Sequence, residues 1–148
     1  MRRAAVAMAA LVAVGTAVAQ APPFAWDIPT PFPKPPVPPD NAMSAAKVEL
    51  GRRLFYDRRM SVNGAQSCAS CHRQELAFTD GLARAVGTTG EMHPRGSMSL
   101  ANIGYSPALT WADPVTTALE AQALVPMFGT EPVELGLRGM EGRFLAVL

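Results

Sequence analysis

The first run of apolar residues with a helical period lies after residue 40. Four residues carry it at spacings of three or four positions: Met43, Ala46, Leu50 and Leu54. This spacing places their side chains on one face of a helix. Ser44 lies at the start of the repeat and is a residue type that caps helix N-termini. The pattern therefore predicts a helix that Ser44 caps and that runs to about Asp57.

Two further helices are predicted in the last third of the chain. Asp113 and Pro114 form a start signal, because aspartate caps a helix and proline fits the first helical position. We expect this helix to run to Val125, where Pro126 stops it. A last helix is predicted to begin near Glu134.

The middle of the chain has weaker signals. Residues 67–75 are predicted to form one or two helical turns. Residues 79–99 are rich in Gly and Thr and contain Pro94, which predicts a long loop, and loops of this length usually have a function. The sequence contains no internal repeat and no alternation of apolar and polar residues that would predict strands. The predicted fold class is therefore all-α.

The N-terminus has the composition of an export signal. Arg2 and Arg3 precede an apolar run rich in Ala and Val, and small residues follow at Ala17 and Ala19. This pattern predicts a signal peptide at residues 1–19, cleaved near Ala19, and an exported, periplasmic protein. The run is too short and too interrupted for a membrane span, and no later segment is long and apolar enough.

Residues 20–40 are rich in proline, which excludes a helix and interrupts the hydrogen bonds of a sheet. We predict an extended, proline-rich N-terminal arm. Because Phe24, Trp26 and Phe32 lie within it, we expect the arm to pack along the domain or a neighbour. The alternative is a disordered leader.

The charge balance and the C-terminal end limit the function classes. Lys and Arg number 13 against 12 Asp and Glu, so no basic stripe indicates nucleic-acid binding. Residues 140–148 form an apolar stretch without a glycine cap or a polar tail. We therefore expect a fragment, or the first half of a longer chain.

One motif has a specific chemical meaning: Cys68-Ala-Ser-Cys71-His72 is the C-x-x-C-H pattern of c-type haem attachment. Two cysteines three positions apart on a helical turn can reach the two vinyl groups at one porphyrin edge. The histidine that follows lies under the ring, where it can bind the iron. The motif therefore predicts one covalent haem c on this chain.

Three alternatives exist for the two cysteines. In an oxidising compartment a pair of cysteines first suggests a disulfide. A structural zinc site needs four ligands, typically two such pairs, and the chain has no second pair. A thioredoxin-like dithiol would need a βαβ context, which the pattern does not predict. Haem attachment explains both cysteines and His72 together.

Beyond the motif, the chain resembles the bacterial di-haem cytochrome c peroxidases and the related MauG-type enzymes. Four segments carry the resemblance: residues 50–57 (Leu50-Gly-Arg-Arg-Leu-Phe-Tyr-Asp57), residues 78–81, residues 93–102 and residues 119–126. The similarity is greatest to the subgroup that oxidises tryptophan on partner proteins. It implies a cytochrome c-like haem domain at residues 41–148, the half of the enzyme that reacts with hydrogen peroxide. A second half with an electron-transfer haem would be missing from this chain.

The resemblance also implies a distal wall above the iron. Gln122 and Pro126 match the family's glutamine and proline, and Glu134 best matches its acid/base glutamate. The segment after Pro126 is about two residues longer than in typical members, so Glu131 is the fallback. Without the resemblance, Glu134 would be interpreted as an exposed residue in the first turn of a helix.

Three other residues take their expected roles from the resemblance. Trp111 resembles the tryptophan that relays electrons between the two haems, and its alternative role is a core residue. His93 is a possible distal iron ligand, and its alternative is a loop or partner-facing role. Because Gly96 stands where many relatives have a calcium-binding asparagine, Asn102 is the possible substitute for binding calcium.

The resulting hypothesis is a periplasmic haem peroxidase that reduces hydrogen peroxide. Its expected partners are an electron-donor cytochrome or cupredoxin, or a protein substrate whose tryptophan it oxidises. The rival function is a monohaem electron-transfer cytochrome, in which a methionine thioether completes the iron. Met98 and Met127 are the candidates for that ligand, although most methionines fill gaps in cores.

Overall fold

A computed structural model describes residues 23–111 and 114–145 of the chain. Within these ranges the chain forms four α-helices: α1 (Ala45–Tyr56), α2 (Cys68–Cys71), α3 (Leu119–Phe128) and α4 (Glu141–Leu145). Single turns of 3₁₀ helix lie at Arg58–Met60, Gln74–Leu76 and Ile103–Tyr105. The described residues contain no strand, only isolated bridges, which confirms the predicted helical class. None of their helices is long and apolar enough to cross a bilayer, and the predicted signal peptide lies outside them.

The structure confirms the predicted start and end of α1. The Ser44 hydroxyl accepts a hydrogen bond from the Lys47 amide at 3.2 Å, which satisfies one free N–H of the first turn. Asp57 is the C-terminal cap, and its carboxylate accepts from the Arg59 amide to begin the next turn. The apolar face that the spacing predicted is only partly covered, since Leu50 is 47% exposed.

The predicted helix from Asp113 to Val125 is wrong at both ends. Pro114 lies in a bend, Asp113 lies outside the described residues, and α3 begins at Leu119 after an extended Ala118. Pro126 does not stop α3, which continues to Phe128. A proline near the last turn removes only one backbone hydrogen bond, and the Gly129 amide still bonds to the Val125 carbonyl at 2.8 Å.

The predicted last helix near Glu134 is also wrong, because this residue lies in an irregular segment and α4 begins only at Glu141. The amides of Leu135 and Leu137 bond to the carbonyls of Pro126 and Met127, at 2.9 and 2.8 Å. These amides therefore pair with the end of α3 instead of with a helix of their own.

Among the described residues, the buried apolar core is small and lies outside the α-helices. Its members are Met60, Ala85, Leu109, Leu135 and Leu137. The predicted loop at residues 79–99 contains no helix, as expected, but it folds into a hairpin at residues 85–95. In this hairpin the Ala85 amide bonds to the Arg95 carbonyl at 2.9 Å and the His93 amide to the Ala85 carbonyl at 2.8 Å.

Residues 23–43 contain neither helix nor strand, as a proline-rich composition dictates. Phe24 and Trp26 pack edge to face with ring centroids 5.2 Å apart. The Tyr105 hydroxyl donates a hydrogen bond to the Pro33 carbonyl at 2.7 Å, and the Phe32 ring lies 6.1 Å from the Tyr105 ring. This segment therefore lies along the 3₁₀ turn at residues 103–105.

We predict that Ser44→Ala lowers the free energy of unfolding by about 1 kcal/mol, because the Lys47 amide loses its capping acceptor. Urea denaturation of the haem-loaded protein measures the change. Ser44→Asp keeps a capping oxygen and is expected to unfold like the unchanged protein. Equal stability of the Ala and Asp variants would contradict a role for the cap.

Candidate haem site

The two cysteines lie at the first and last positions of α2, one helical turn apart. The Ser67 amide donates to the Ser70 hydroxyl at 3.0 Å, which fixes the start of this short helix. Both thiols are free and half-buried, so the structure does not support the disulfide alternative. Burial raises the pKa of each thiol, and the nearby Asp80 carboxylate adds to this effect at Cys71.

The orientation of His72 is fixed by a backbone carbonyl. Its Nδ1 lies 2.9 Å from the Phe78 carbonyl oxygen, which is an acceptor only, so Nδ1 carries the proton. The other nitrogen, Nε2, is left to bind a metal. This contact depends on a sharp reversal of the chain, because Ala77 and Phe78 both have positive φ angles, 53° and 61°.

Aromatic rings pack next to this histidine. The Phe55 ring, from α1, lies 6.5 Å from the His72 ring and 6.4 Å from the Phe78 ring. Phe55 and Phe78 also line a groove of about 380 Å³, together with Gly51, Arg52, Tyr56 and Leu100. Two free thiols and an imidazole with a free Nε2 on one turn are the donor set that a covalently bound haem requires.

Glu134 is half-buried and interacts electrostatically with the cysteine motif. Burial raises the pKa of its carboxyl above the ordinary 4.5, although the neighbouring His93 and His72 act in the opposite direction. The Glu134 charge in turn raises the pKa of both cysteine thiols. This electrostatic coupling indicates that Glu134, far along the chain from the motif, lies close to it in the fold.

Gln122 and Pro126 lie on α3, next to the Glu134 segment. Gln122 is half-buried, whereas the other residues from Leu119 to Val125 are exposed, so in this part of α3 Gln122 is the residue that faces inward. The bond from the Leu135 amide to the Pro126 carbonyl holds the end of α3 beside Glu134. The fallback residue Glu131 is exposed.

His93 is 9% exposed and its charge acts on Glu134. Its burial argues against the partner-facing alternative. Binding of iron by His93 stays a prediction.

Trp111 is 55% exposed, so the alternative role as a core tryptophan is wrong. Its indole N–H donates to the Gly96 carbonyl at 3.1 Å. The Arg95 guanidinium lies over the indole ring, 5.4 Å from the ring centroid, where a cation is attracted to the π face. The hairpin therefore fixes the orientation of an indole that faces outwards.

Comparison with known proteins agrees with this arrangement. The family model described as di-haem cytochrome c peroxidase matches residues 45–147. The chain belongs to the di-haem cytochrome c peroxidase family. This membership confirms the resemblance found in the sequence and implies haem c as the cofactor type.

Individual relatives support the same assignment. The chain is 47% identical over 93 residues to the cytochrome-c peroxidase IdrP1 of Denitromonas iodatirespirans, covering 63% of this chain and 24% of that protein. It is 37% identical over 112 residues to the methylamine utilization protein MauG of Methylorubrum extorquens, covering 76% and 31%. The chain thus spans about a quarter to a third of the length of these relatives.

A solved structure supports the cytochrome c-like fold of this di-haem peroxidase segment. A MauG-like protein associated with microbial copper homeostasis is 52% identical, with a TM-score of 0.73. The match covers 76% of this chain and 32% of that one.

The structure leaves no room at Gly96 for the asparagine that the resemblance implies at this position. A Cβ atom on Gly96 would lie 2.1 Å from the Leu82 carbonyl oxygen, so this backbone has no room for an asparagine there. Asn102 is exposed and has a positive φ of 57°, a conformation that asparagine tolerates better than most residues. That conformation gives Asn102 a structural role, and calcium binding by it stays a prediction.

The methionines proposed as ligands for an electron carrier are not distinguished by their surroundings. Met98 and Met127 are half-buried, as residues that fill gaps also are. Among the described residues, no three His, Cys, Asp or Glu side chains are grouped so that they could hold a metal ion.

The sequence reasoning missed several residues around the motif. Phe55, Phe78 and Asp80 lie in segments that carried the family resemblance, so that resemblance was the signal that could have identified them. Ser97 acts to lower the pKa of the Cys71 thiol, against the effect of burial, and the Glu91 carboxylate accepts from the Val133 amide at 3.1 Å. No local pattern indicates either contact, since each joins residues far apart in the chain.

We predict that Glu134→Gln raises the unfolding midpoint at neutral pH. The raised pKa means that the folded state binds this proton more tightly than the unfolded chain. Burying the charge therefore costs no stability at a pH below the ordinary pKa of 4.5. The loss of stability develops as the pH rises through the raised pKa. Thermal unfolding at several pH values should show a difference that shrinks below pH 4.5.

The control for this prediction is Glu131→Gln, which changes an exposed carboxyl on the same segment and should leave the midpoint unchanged. A lower midpoint for Glu134→Gln at neutral pH would mean that attraction to the histidines outweighs burial.

Proposed function

We propose that this chain is the peroxide-reacting half of a periplasmic di-haem peroxidase. The observation that carries the proposal is the half-buried carboxyl of Glu134, whose charge is coupled to the cysteines and the histidine of the haem motif. A buried carboxyl with a raised pKa beside a reaction centre is the environment that an acid/base catalyst needs.

Cys68 and Cys71 would hold haem c through two thioether bonds, formed by addition of each thiol to a vinyl group. His72 would bind the iron through Nε2, because Nδ1 is committed to the Phe78 carbonyl. The bound haem supplies an iron site for peroxide and the electron chemistry that the side chains lack.

The proton transfers are assigned to Glu134. Its carboxylate would take a proton from the peroxide oxygen nearer to the haem. The resulting carboxylic acid would then give a proton to the oxygen that departs as water. The reaction consumes two electrons and two protons and yields two water molecules. Gln122 is half-buried on α3 and would orient the peroxide through its amide, and Pro126, whose carbonyl bonds to the Leu135 amide, would form part of the distal wall.

Electrons would arrive from a second haem in the remainder of the protein through Trp111. Its fixed and exposed indole supports this role, since the ring faces outwards from the domain. The ultimate donor is a cytochrome or cupredoxin, or else a partner protein whose tryptophan is oxidised. The second possibility follows from the resemblance of the sequence to the subgroup that oxidises tryptophan on partner proteins.

We also propose the domain organisation that the sequence predicts. Residues 1–19 are an export signal, residues 20–40 an arm, and residues 41–148 the N-terminal haem domain. The contact between Tyr105 and Pro33 supports an arm that packs along this domain. Export is needed for haem attachment in this scheme.

We predict that the full-length protein purified from the periplasm carries two covalent haems, one of them on the peptide that contains Cys68 and Cys71. Intact and peptide mass spectrometry measure this directly. Replacing both cysteines with serine should remove only that haem. A single haem on a protein of this chain's length would favour the electron-carrier function instead.

We predict that Glu134→Gln lowers kcat/KM for hydrogen peroxide by about 10²- to 10⁴-fold, the usual contribution of a positioned acid/base group. Stopped-flow measurement on the full-length, haem-loaded protein tests it. Glu131→Gln is the matched control and should retain the unchanged rate. If the two variants lost activity equally, or if Glu134→Gln kept full activity, Glu134 would not be the catalyst.

A further inference from the structure

The hairpin at residues 85–95 lies directly against the segment that carries Glu134. Its turn is closed by a bond from the Gly87 amide to the Glu91 carbonyl at 2.8 Å. Asn63 holds the same turn from outside, because its side-chain amide donates to the Thr88 carbonyl at 2.9 Å and its carbonyl accepts from the Thr88 hydroxyl. The tip of the hairpin is therefore a fixed element.

Gly87 allows the hairpin to lie close to the segment that carries Glu134. A Cβ atom on Gly87 would lie 1.9 Å from the Val133 carbonyl oxygen and 3.3 Å from Nε2 of His93. The two backbones are thus in direct contact, and only glycine fits between them. The same contact brings the buried His93 close to the Glu134 segment.

The hairpin binds the backbone on both sides of the Glu134 side chain. On the N-terminal side, the Glu91 carboxylate accepts from the Val133 amide at 3.1 Å. On the C-terminal side, the Thr88 amide donates to the Glu134 carbonyl at 2.8 Å. Of these two contacts, only the first is made by a side chain, so only Glu91 can be removed by a simple substitution.

We infer that Glu91 is a positioning residue that holds the Glu134 carboxyl in place for its reaction with peroxide. The inference rests on the proposed function, because it assigns Glu91 a role through Glu134. The Glu91 side chain is exposed and makes one charge-assisted bond to the Val133 amide. A misplacement of a catalytic group by about 1 Å can cost about 10²-fold in rate.

The experiment compares Glu91→Ala, Glu91→Gln and the control Glu49→Ala in the full-length, haem-loaded protein. Glu49 is a glutamate on α1 that pairs with Arg52 and Arg53. We expect Glu91→Ala to lose about tenfold in kcat/KM for hydrogen peroxide, a fraction of the cost of a full misplacement. Glu91→Gln keeps an acceptor oxygen and should restore the rate, and Glu49→Ala should not change it.

Two further readouts separate positioning from general stability. Hydrogen exchange of the Val133 amide should be faster in Glu91→Ala and normal in Glu91→Gln. The acid limb of the pH–rate profile should move to lower pH in Glu91→Ala. A looser segment admits water, which reduces the burial that raises the pKa of Glu134. The charged groups that act on Glu134 are His93 and His72, and both lower this pKa. A loss of stability alone would not move this limb.

The double variant Glu91→Ala with Glu134→Gln tests whether Glu91 affects the rate through Glu134. Its rate should be no lower than that of Glu134→Gln alone, because Glu91 then has no carboxyl left to position. If Glu91→Ala matches the unchanged protein in rate, exchange and pH profile while Glu134→Gln is impaired, the inference is wrong and the proposed function stands. If Glu134→Gln has full activity, the proposed function is wrong, and Val133 exchange still shows whether Glu91 holds the segment.

Discussion

The backbone contact between Gly87 and Val133 is the constraint on which most of this structure depends. It joins the hairpin at residues 85–95 to the segment that follows α3, and three of the buried apolar residues belong to these two segments: Ala85, Leu135 and Leu137. The same contact therefore both packs the core and sets the position of Glu134. A change that separates the two segments would open the core and displace the carboxyl together.

The cysteine motif depends on a second, more local constraint. Its histidine is oriented by the Phe78 carbonyl, which returns to His72 only because Ala77 and Phe78 adopt left-handed backbone angles. Such conformations are uncommon for residues other than glycine and are found where the surrounding structure enforces them, often at functional sites. The backbone strain thus lies where it fixes the orientation of the His72 ring. Phe55, from α1, completes the packing on this side.

Much of the candidate site could be predicted from the sequence because its chemistry is local. Cys68, Cys71 and His72 lie within five consecutive residues, and a single helical turn is enough to bring them together. The Ser44 cap is equally local, since its hydroxyl reaches an amide three residues away. Family resemblance extended the prediction to Gln122 and Glu134. The helix predictions were wrong where local signals competed with contacts between distant residues, as at Pro126 and in the segment after it.

The sequence by itself determined the helical class, the C-x-x-C-H motif and the family. Only the tertiary structure decided that Glu134 lies outside any helix, that Trp111 is exposed, and that Gly96 leaves no room for a side chain. It also revealed Glu91 as the partner of the Val133 amide. The physical reason is the separation along the chain between the groups that interact. Caps and ligand spacings are set within a few residues, whereas the hairpin and the Glu134 segment meet through groups more than forty positions apart, and no local pattern of residues indicates which of them will meet.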